Sequence, residues 1–350
     1  MIKQLAALRG IFILFIFLHH MSVFPGGGGM GVAFFFVLGG FSMTLGYHEK
    51  ILLPTFHYGQ YIARRAIKFY PLHWLCLLAS IPLVIDNFTW PTFLVNAALL
   101  QSWVPNAAYY FSYNAVSWYL ANTMFFAIIF PFVYRWKKRS SKMSKWVVFI
   151  CVVIAYLLIL FFANGLNLLY INPLVRSMDF VFGICLGLFY LKSKEKAQLV
   201  DRFENSPRLG QVVVFASILL LVAQACIMAH YSCKIAPFYW LLIAVVIYVS
   251  SMMSECNGVK NGIMTNNLLV KFGECSFTFF MIHQIVIKYV YLLVKPYLAS
   301  TIENRYILQL ALIIVCFFVT LVLCVLIHNY FVKPITACIT KKIQPFTTVR

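Results

Sequence analysis

Apolar residues in this chain gather in long unbroken runs, not in the alternating or three-in-seven patterns of half-buried strands and surface helices. Ten runs of roughly 17 to 25 residues are long enough for a helix to cross a hydrocarbon core. They lie near 5–24, 30–47, 68–85, 115–134, 146–163, 174–191, 211–229, 235–252, 275–294 and 306–331. The pattern predicts an all-α protein, a polytopic membrane helical bundle of about ten transmembrane helices, because in lipid a spanning segment must satisfy its own backbone. Trp90–Val104 is apolar but short and flanked by proline, and is expected to be re-entrant or interfacial. Trp90, Trp103, Trp118, Trp136 and Trp146 fall near run ends, where an aromatic belt would place them.

Composition strengthens this picture: 63% of the 350 residues are hydrophobic and only 11% charged, outside soluble-domain averages. The first run has no small-residue cleavage site and further spans follow, so it is read as a span and not as a signal peptide. Six of the ten cysteines (Cys76, Cys151, Cys185, Cys226, Cys316 and Cys324) sit inside apolar runs. No C-x-x-C or Cys/His metal spacing occurs, so they read as inert small hydrophobes and no metal is expected.

Charge orients the bundle. With a cytoplasmic N-terminus, 22 of the 28 Lys and Arg fall in inside segments, and the positive-inside rule puts both termini in the cytoplasm. The net charge of +19 is thereby a topology signal, not a nucleic-acid footprint. No repeat, low-complexity tract or Gly/Ser linker divides the chain, which reads as one membrane domain over 1–335 with a short cytoplasmic tail, 336–350.

Four constellations carry chemistry. Arg9 and His20 lie eleven residues apart in the first run, about 16 Å along a helix axis. Ionisable groups at bilayer depth usually face a protein interior or wet cavity, and this pair suggests an anion site and a moving proton. A snorkelling Arg and a satisfied helix histidine, with His19 beside it, fit the same residues. Gly26–Gly31 is expected to form an extracytoplasmic turn that lets a ligand or backbone approach, and Gly39-Gly40 to allow tight helix packing. Arg64, Arg65 and Lys68 are cytoplasmic, and Arg65 and Lys68 share a helix face. Guanidinium forks suit phosphate oxygens, although a topology anchor would look alike. Arg176 and Asp179, spaced i, i+3, can pair near the start of the sixth run. His283 is a second intramembrane imidazole, and His328, near a run end, a weaker one.

In this order the motifs resemble the acyltransferase-3 family of multi-pass bacterial membrane O-acyltransferases, over nearly the whole chain. Leu8-Arg9-Gly10 to His20 resembles its opening L-R-G…H, and Gly31-Val32 to Gly39-Gly40-Phe41 its G-V-x-x-F-F-V-L-S-G-F helix. Arg64-Arg65 to Pro71 is similar to R-R-x-x-R-x-x-P, and Ser117-Trp118-Tyr119-Leu120 to Pro131 to W-x-L…P. Arg176-x-x-Asp179-Phe180-x-x-Gly183 resembles R-x-x-E/D-F-x-x-G, and Gly273 to His283 resembles G-x-x-S-Y…H. The chain departs at Ala6, where many members carry Asp, at Lys68 in place of the last Arg, and at Thr123 in place of a Glu found in the polysaccharide-modifying branch. No hydrolase-like domain is expected after the tenth span.

The resemblance implies a bacterial cytoplasmic-membrane enzyme that takes an acyl group, acetyl by expectation, from a coenzyme A thioester. The acceptor would be a hydroxyl of a glycan or lipid-linked saccharide. It implies donor phosphates on Arg64, Arg65 and Lys68 with acetyl-CoA as co-substrate, and a catalytic set of His20, Arg9, Asp179 and His283. The pantetheine arm would reach into the bundle towards His20, which would act as general base, the commonest imidazole role near neutral pH. Direct transfer and an acyl-histidine both fit, and the pattern speaks for no particular oligomeric state. The rival reading is a transporter or channel using the buried charges as an ion path; inverted repeats and paired broken helices would support it, and neither is found.

Overall fold

The computed structural model describes residues 2–140, 166–194, 207–232, 235–255 and 263–342, and every regular element among them is helical. In chain order these are α1 (Lys3–His20), α2 (Gly27–Tyr47), α3 (Tyr58–Ser80), α4 (Trp90–Ala97), α5 (Ala107–Tyr110) and α6 (Ser117–Arg139). There follow α7 (Leu166–Ile171), α8 (Pro173–Lys194), α9 (Pro207–His230), α10 (Trp240–Met253) and α11 (Asn267–Glu274). The last four are α12 (Ser276–Leu293), α13 (Lys295–Thr301), α14 (Arg305–Ile327) and α15 (Lys333–Lys342). Nine helices among the described residues are long and apolar enough to cross a membrane, and they coincide with nine expected spans. The expected span 146–163 lies outside the described residues. Trp90–Val104 forms the short α4 and a 3₁₀ turn at Gln101–Trp103, too short to cross.

One expectation holds and one changes. The third helix starts at Tyr58, ahead of the apolar run, so Arg65 and Lys68 share a helix face as their spacing required, and the helix runs on past Pro71, which donates no backbone bond. Hydropathy marks where a helix becomes apolar, not where its hydrogen bonds begin. Gly27–Gly31, by contrast, are the first turns of α2 and not a turn between helices, and no described glycine has positive φ. The reversal is made instead by Ser22, at φ 59°. The glycines serve close approach: a methyl at Gly26 would overlap the Ala225 carbonyl, and one at Gly27 the Phe15 carbonyl.

The chain forms two compact units. The first is built mainly from Met1–Phe56 and Phe125–Glu274. Its central helix is α2, which packs against α1, α8, α9 and α10. Gly40 of α2 faces the Phe180 carbonyl, and Gly183 of α8 faces the Val37 carbonyl; a Cβ at either place would overlap backbone. Small residues of this kind let helices touch backbone to backbone, which is how helices associate where lipid removes the hydrophobic drive between them. On the other flank of α2, Phe12 stacks on Phe34 with ring centres 3.7 Å apart.

The second unit is built from His57–Met124 and Cys275–Pro345. Here α12 packs against α3 and α14. The carbonyls at the C-terminus of α4 have no intrahelical donors, and one face of α3 supplies them. His73 Nε2 bonds the Asn96 carbonyl (2.8 Å), Trp74 Nε1–H the Ala97 carbonyl (3.1 Å), and Tyr70 O–H the Ala98 carbonyl (3.2 Å). Along α14, Ile307, Leu310, Ile314, Phe318, Val322 and Val325 are exposed at helical spacing, an apolar stripe suited to lipid and not to water.

Gly183→Ala should force α2 and α8 apart, and overpacking of this kind costs about 1–3 kcal/mol. Thermal unfolding in detergent should show a clearly lower melting temperature. Gly46→Ala, on the same α2 but facing open space, should melt like the parent; equal melting of the two variants would remove the contact from the account.

Candidate active site

Arg9 and His20 ride on one uninterrupted helix. Eleven residues make about three turns, so both side chains leave α1 within roughly 20° of the same direction. The helix is held from two sides. A methyl at Gly273 of α11 would overlap the Ala6 carbonyl, while Phe12 is locked by Phe34. At the far end the rings of His19 and His20 lie 5.2 Å apart at 69°. The His19 ring rests on Gly28, so it packs against α2, while His20 projects about 100° away. Ser22 in the left-handed region closes α1, and Val23 N–H donates to the Leu18 carbonyl (2.9 Å), a Schellman-type stop.

The same unit holds a buried ion pair. Asn172 caps α8 by accepting the Leu174 N–H at its Oδ1 (2.9 Å), Pro173 occupies the first turn, and Arg176 and Asp179 follow on one face. Arg176 Nη2 lies 3.0 Å from Asp179 Oδ2, with both side chains 2% exposed. Asp179 Oδ1 accepts the Trp240 Nε1–H at 2.6 Å. Aromatic faces flank the guanidinium: its carbon is 5.0 Å from the Phe36 ring centre and 5.7 Å from that of Tyr170. Burial pushes the Tyr170 phenol up to about 12, outweighing the neighbouring Arg176 cation, so the ring stays neutral.

In the second unit, Arg64 and Arg65 are half-buried and Lys68 is exposed on α3. The Arg65 guanidinium lies 5.5 Å from the Tyr61 ring centre, one turn back, and Lys68 Nζ 5.8 Å from that of Phe69. Helical spacing puts Lys68 on the face of both arginines. His283 is fully buried, and its Nδ1–H donates to the Phe280 carbonyl at 2.6 Å. Thr123 turns its hydroxyl back to the Tyr119 carbonyl (2.9 Å).

The structure thus brings Arg176 and Asp179 together as their spacing predicted, and puts them in the unit that carries Arg9 and His20. Arg64, Arg65, Lys68 and His283 belong to the other unit. Sequence reasoning missed Trp240, Phe36 and Tyr170, which surround the pair from three other helices; only their aromatic character hinted at it.

A family model described as an acyltransferase domain matches residues 2–329, a span that includes every candidate residue above. The chain belongs to this acyltransferase family. It is also similar to the acyltransferase MdmB of Streptomyces mycarofaciens, 25% identical over 291 residues that cover 75% of this chain and 69% of that protein. No solved structure matches it. This membrane acyltransferase therefore has two candidate histidines adjacent in sequence and unequal in packing. His20→Ala should lower acyl transfer by about a hundredfold or more, the usual contribution of a positioned base. His19→Ala should mainly loosen the α1–α2 contact. Severe loss at His19 with full activity in His20→Ala, at equal membrane expression, would reverse the assignment.

Proposed function

We propose that this acyltransferase moves an acetyl group from acetyl-CoA, entering from the cytoplasm, to a hydroxyl of a cell-surface glycan or lipid-linked saccharide at the bacterial cytoplasmic membrane. One observation carries the reading: a guanidinium and an imidazole lie three turns apart on the same side of one clamped helix in a chain of this family. Arg64, Arg65 and Lys68 take the donor phosphates, the arginines through paired N–H donors and Lys68 as a point charge. His20 accepts the proton of the acceptor hydroxyl as its oxygen attacks the thioester carbonyl. The carbon–sulfur bond breaks, and the leaving thiolate takes the proton back from the imidazolium. If the imidazole attacks first, the acetyl group passes through His20 and the same bonds exchange in two steps. Arg9 offers a positive charge below the reacting groups, and Asp179 and His283 are the further candidates.

Purified protein incubated with radiolabelled acetyl-CoA and surface glycan from a deletion strain should label the glycan. The Arg64→Ala, Arg65→Ala double variant should bind donor at least tenfold more weakly, with affinity falling as salt rises because Lys68 is exposed to solvent. Unchanged donor affinity with normal insertion would reduce the basic block to a topology anchor.

Topology has its own test. A cysteine at Ser22, in a background lacking the reactive native cysteines, should be labelled by an impermeant thiol reagent outside sealed cells. One at Gln60 should react only after the membrane is opened. Labelling at 60 from outside would place the phosphate site where no cytoplasmic donor reaches it.

A further inference from the structure

Beside the buried ion pair lies a small cavity of about 10 Å³, room for a single water-sized group, bounded by Arg176 and Asp179, by Leu169 and Val175, and by Pro237 and Trp240. Arg176 and Asp179 are 3.0 Å apart yet poorly aligned. Among the described residues, Arg176 Nε and Nη2 and Asp179 Oδ2 have no hydrogen-bond partner, although both side chains are 2% exposed. Native interiors rarely leave buried polar atoms in this state, and a charged one costs most. Asp179 Oδ1 is already engaged by the Trp240 indole, so the oxygen still to be matched is Oδ2.

Charge decides the class of ligand. An anion would meet the Asp179 carboxylate, and a cation the Arg176 guanidinium. What suits both is a neutral group that accepts from the guanidinium and donates to the carboxylate through one atom, which is what a hydroxyl does. The remaining walls, Leu169, Val175 and Pro237 with the indole of Trp240, are apolar, so a hydroxyl that enters meets its polar partners only at the ion pair. Trp240 is itself held rigid by stacking on Phe182, ring centres 4.8 Å apart and 12° from parallel. The cavity also faces the correct end of its unit. The start of α2 contacts His19 through Gly28 and Ala225 through Gly26, and Ala236–Tyr239 packs on the same helix. The end of α1 that carries His20 therefore belongs to the same end of the unit as the short elements that border the cavity.

We infer that this cavity is a subsite for one hydroxyl of the acceptor, with Arg176 and Asp179 determining specificity and Trp240 positioning the carboxylate. The inference rests on the saccharide acceptor proposed above. The test uses the full-length protein in lipid nanodiscs, with oligosaccharides released from the surface glycan as the probe, measuring both equilibrium binding and acetyl-transfer kinetics. Asp179→Asn and Trp240→Phe should each weaken oligosaccharide binding and raise the acceptor KM by about tenfold, the scale of a lost charge-assisted hydrogen bond, and leave the donor KM as it is. Trp240→Phe removes the N–H together with the five-membered ring of the indole but leaves an aromatic wall, so it carries the test if Asp179→Asn does not fold. Variants that melt and bind oligosaccharide like the parent would overturn the subsite and make the pair a structural one enclosing water. So would a parent protein that binds no oligosaccharide with or without acetyl-CoA. Binding that depends on Asp179 in a parent unable to transfer acetyl would keep the subsite and sink the acetyl-transfer reading.

Discussion

Two glycines facing each other across α2 and α8, Gly40 and Gly183, let these helices touch backbone to backbone, and the position of the buried ion pair follows from that contact. Lipid tails are as apolar as leucine, so helices in a bilayer gain little from burying leucine and must gain from close packing. With α2 and α8 in contact, Phe36 reaches the Arg176 guanidinium and Asp179 faces the indole of α10. A larger side chain at either glycine would separate the cation from its aromatic cover.

The ion pair could not sit there uncompensated. Each ion taken out of water costs several kcal/mol even after relaxation, and removing one partner of a buried pair costs about 3–5 kcal/mol because the other is stranded. Asp179 divides its compensation between a cation at 3.0 Å and an indole N–H at 2.6 Å, and Arg176 adds two ring faces. Three helices besides α8 contribute to this single group, and the pair in turn ties them together. The part left unmatched borders a small cavity lined by the same two residues.

Helix α1 shows the same economy on a longer scale. Its face bearing Arg9 and His20 is held against both sliding and turning. Gly273 against Ala6 fixes one end, Phe12 on Phe34 the middle, and His19 on Gly28 the other. One histidine of the adjacent pair, His19, thus packs against α2. The short left-handed stop at Ser22 ends the helix immediately after it, so His20 lies in the last turn.

The sequence by itself determined what depends on local composition. Long apolar runs allow only helices in lipid, so the all-helical architecture, nine of the described spans and the i, i+3 meeting of Arg176 with Asp179 were legible, as was the family from its ordered motifs. Boundaries were less so: α3 begins at Tyr58 because hydrogen bonding, not hydropathy, starts a helix, and the glycines from Gly27 on open α2, with Gly27, Gly28 and Gly31 pressed against α1. Only the tertiary structure decided that the His19 ring rests on Gly28, that Trp240 holds Asp179, and that Phe36 and Tyr170 cover Arg176. Those partners are far apart in sequence, up to 140 residues between Phe36 and Arg176. No local periodicity encodes a contact made by helices packing side by side, and it becomes readable only when the backbones have met.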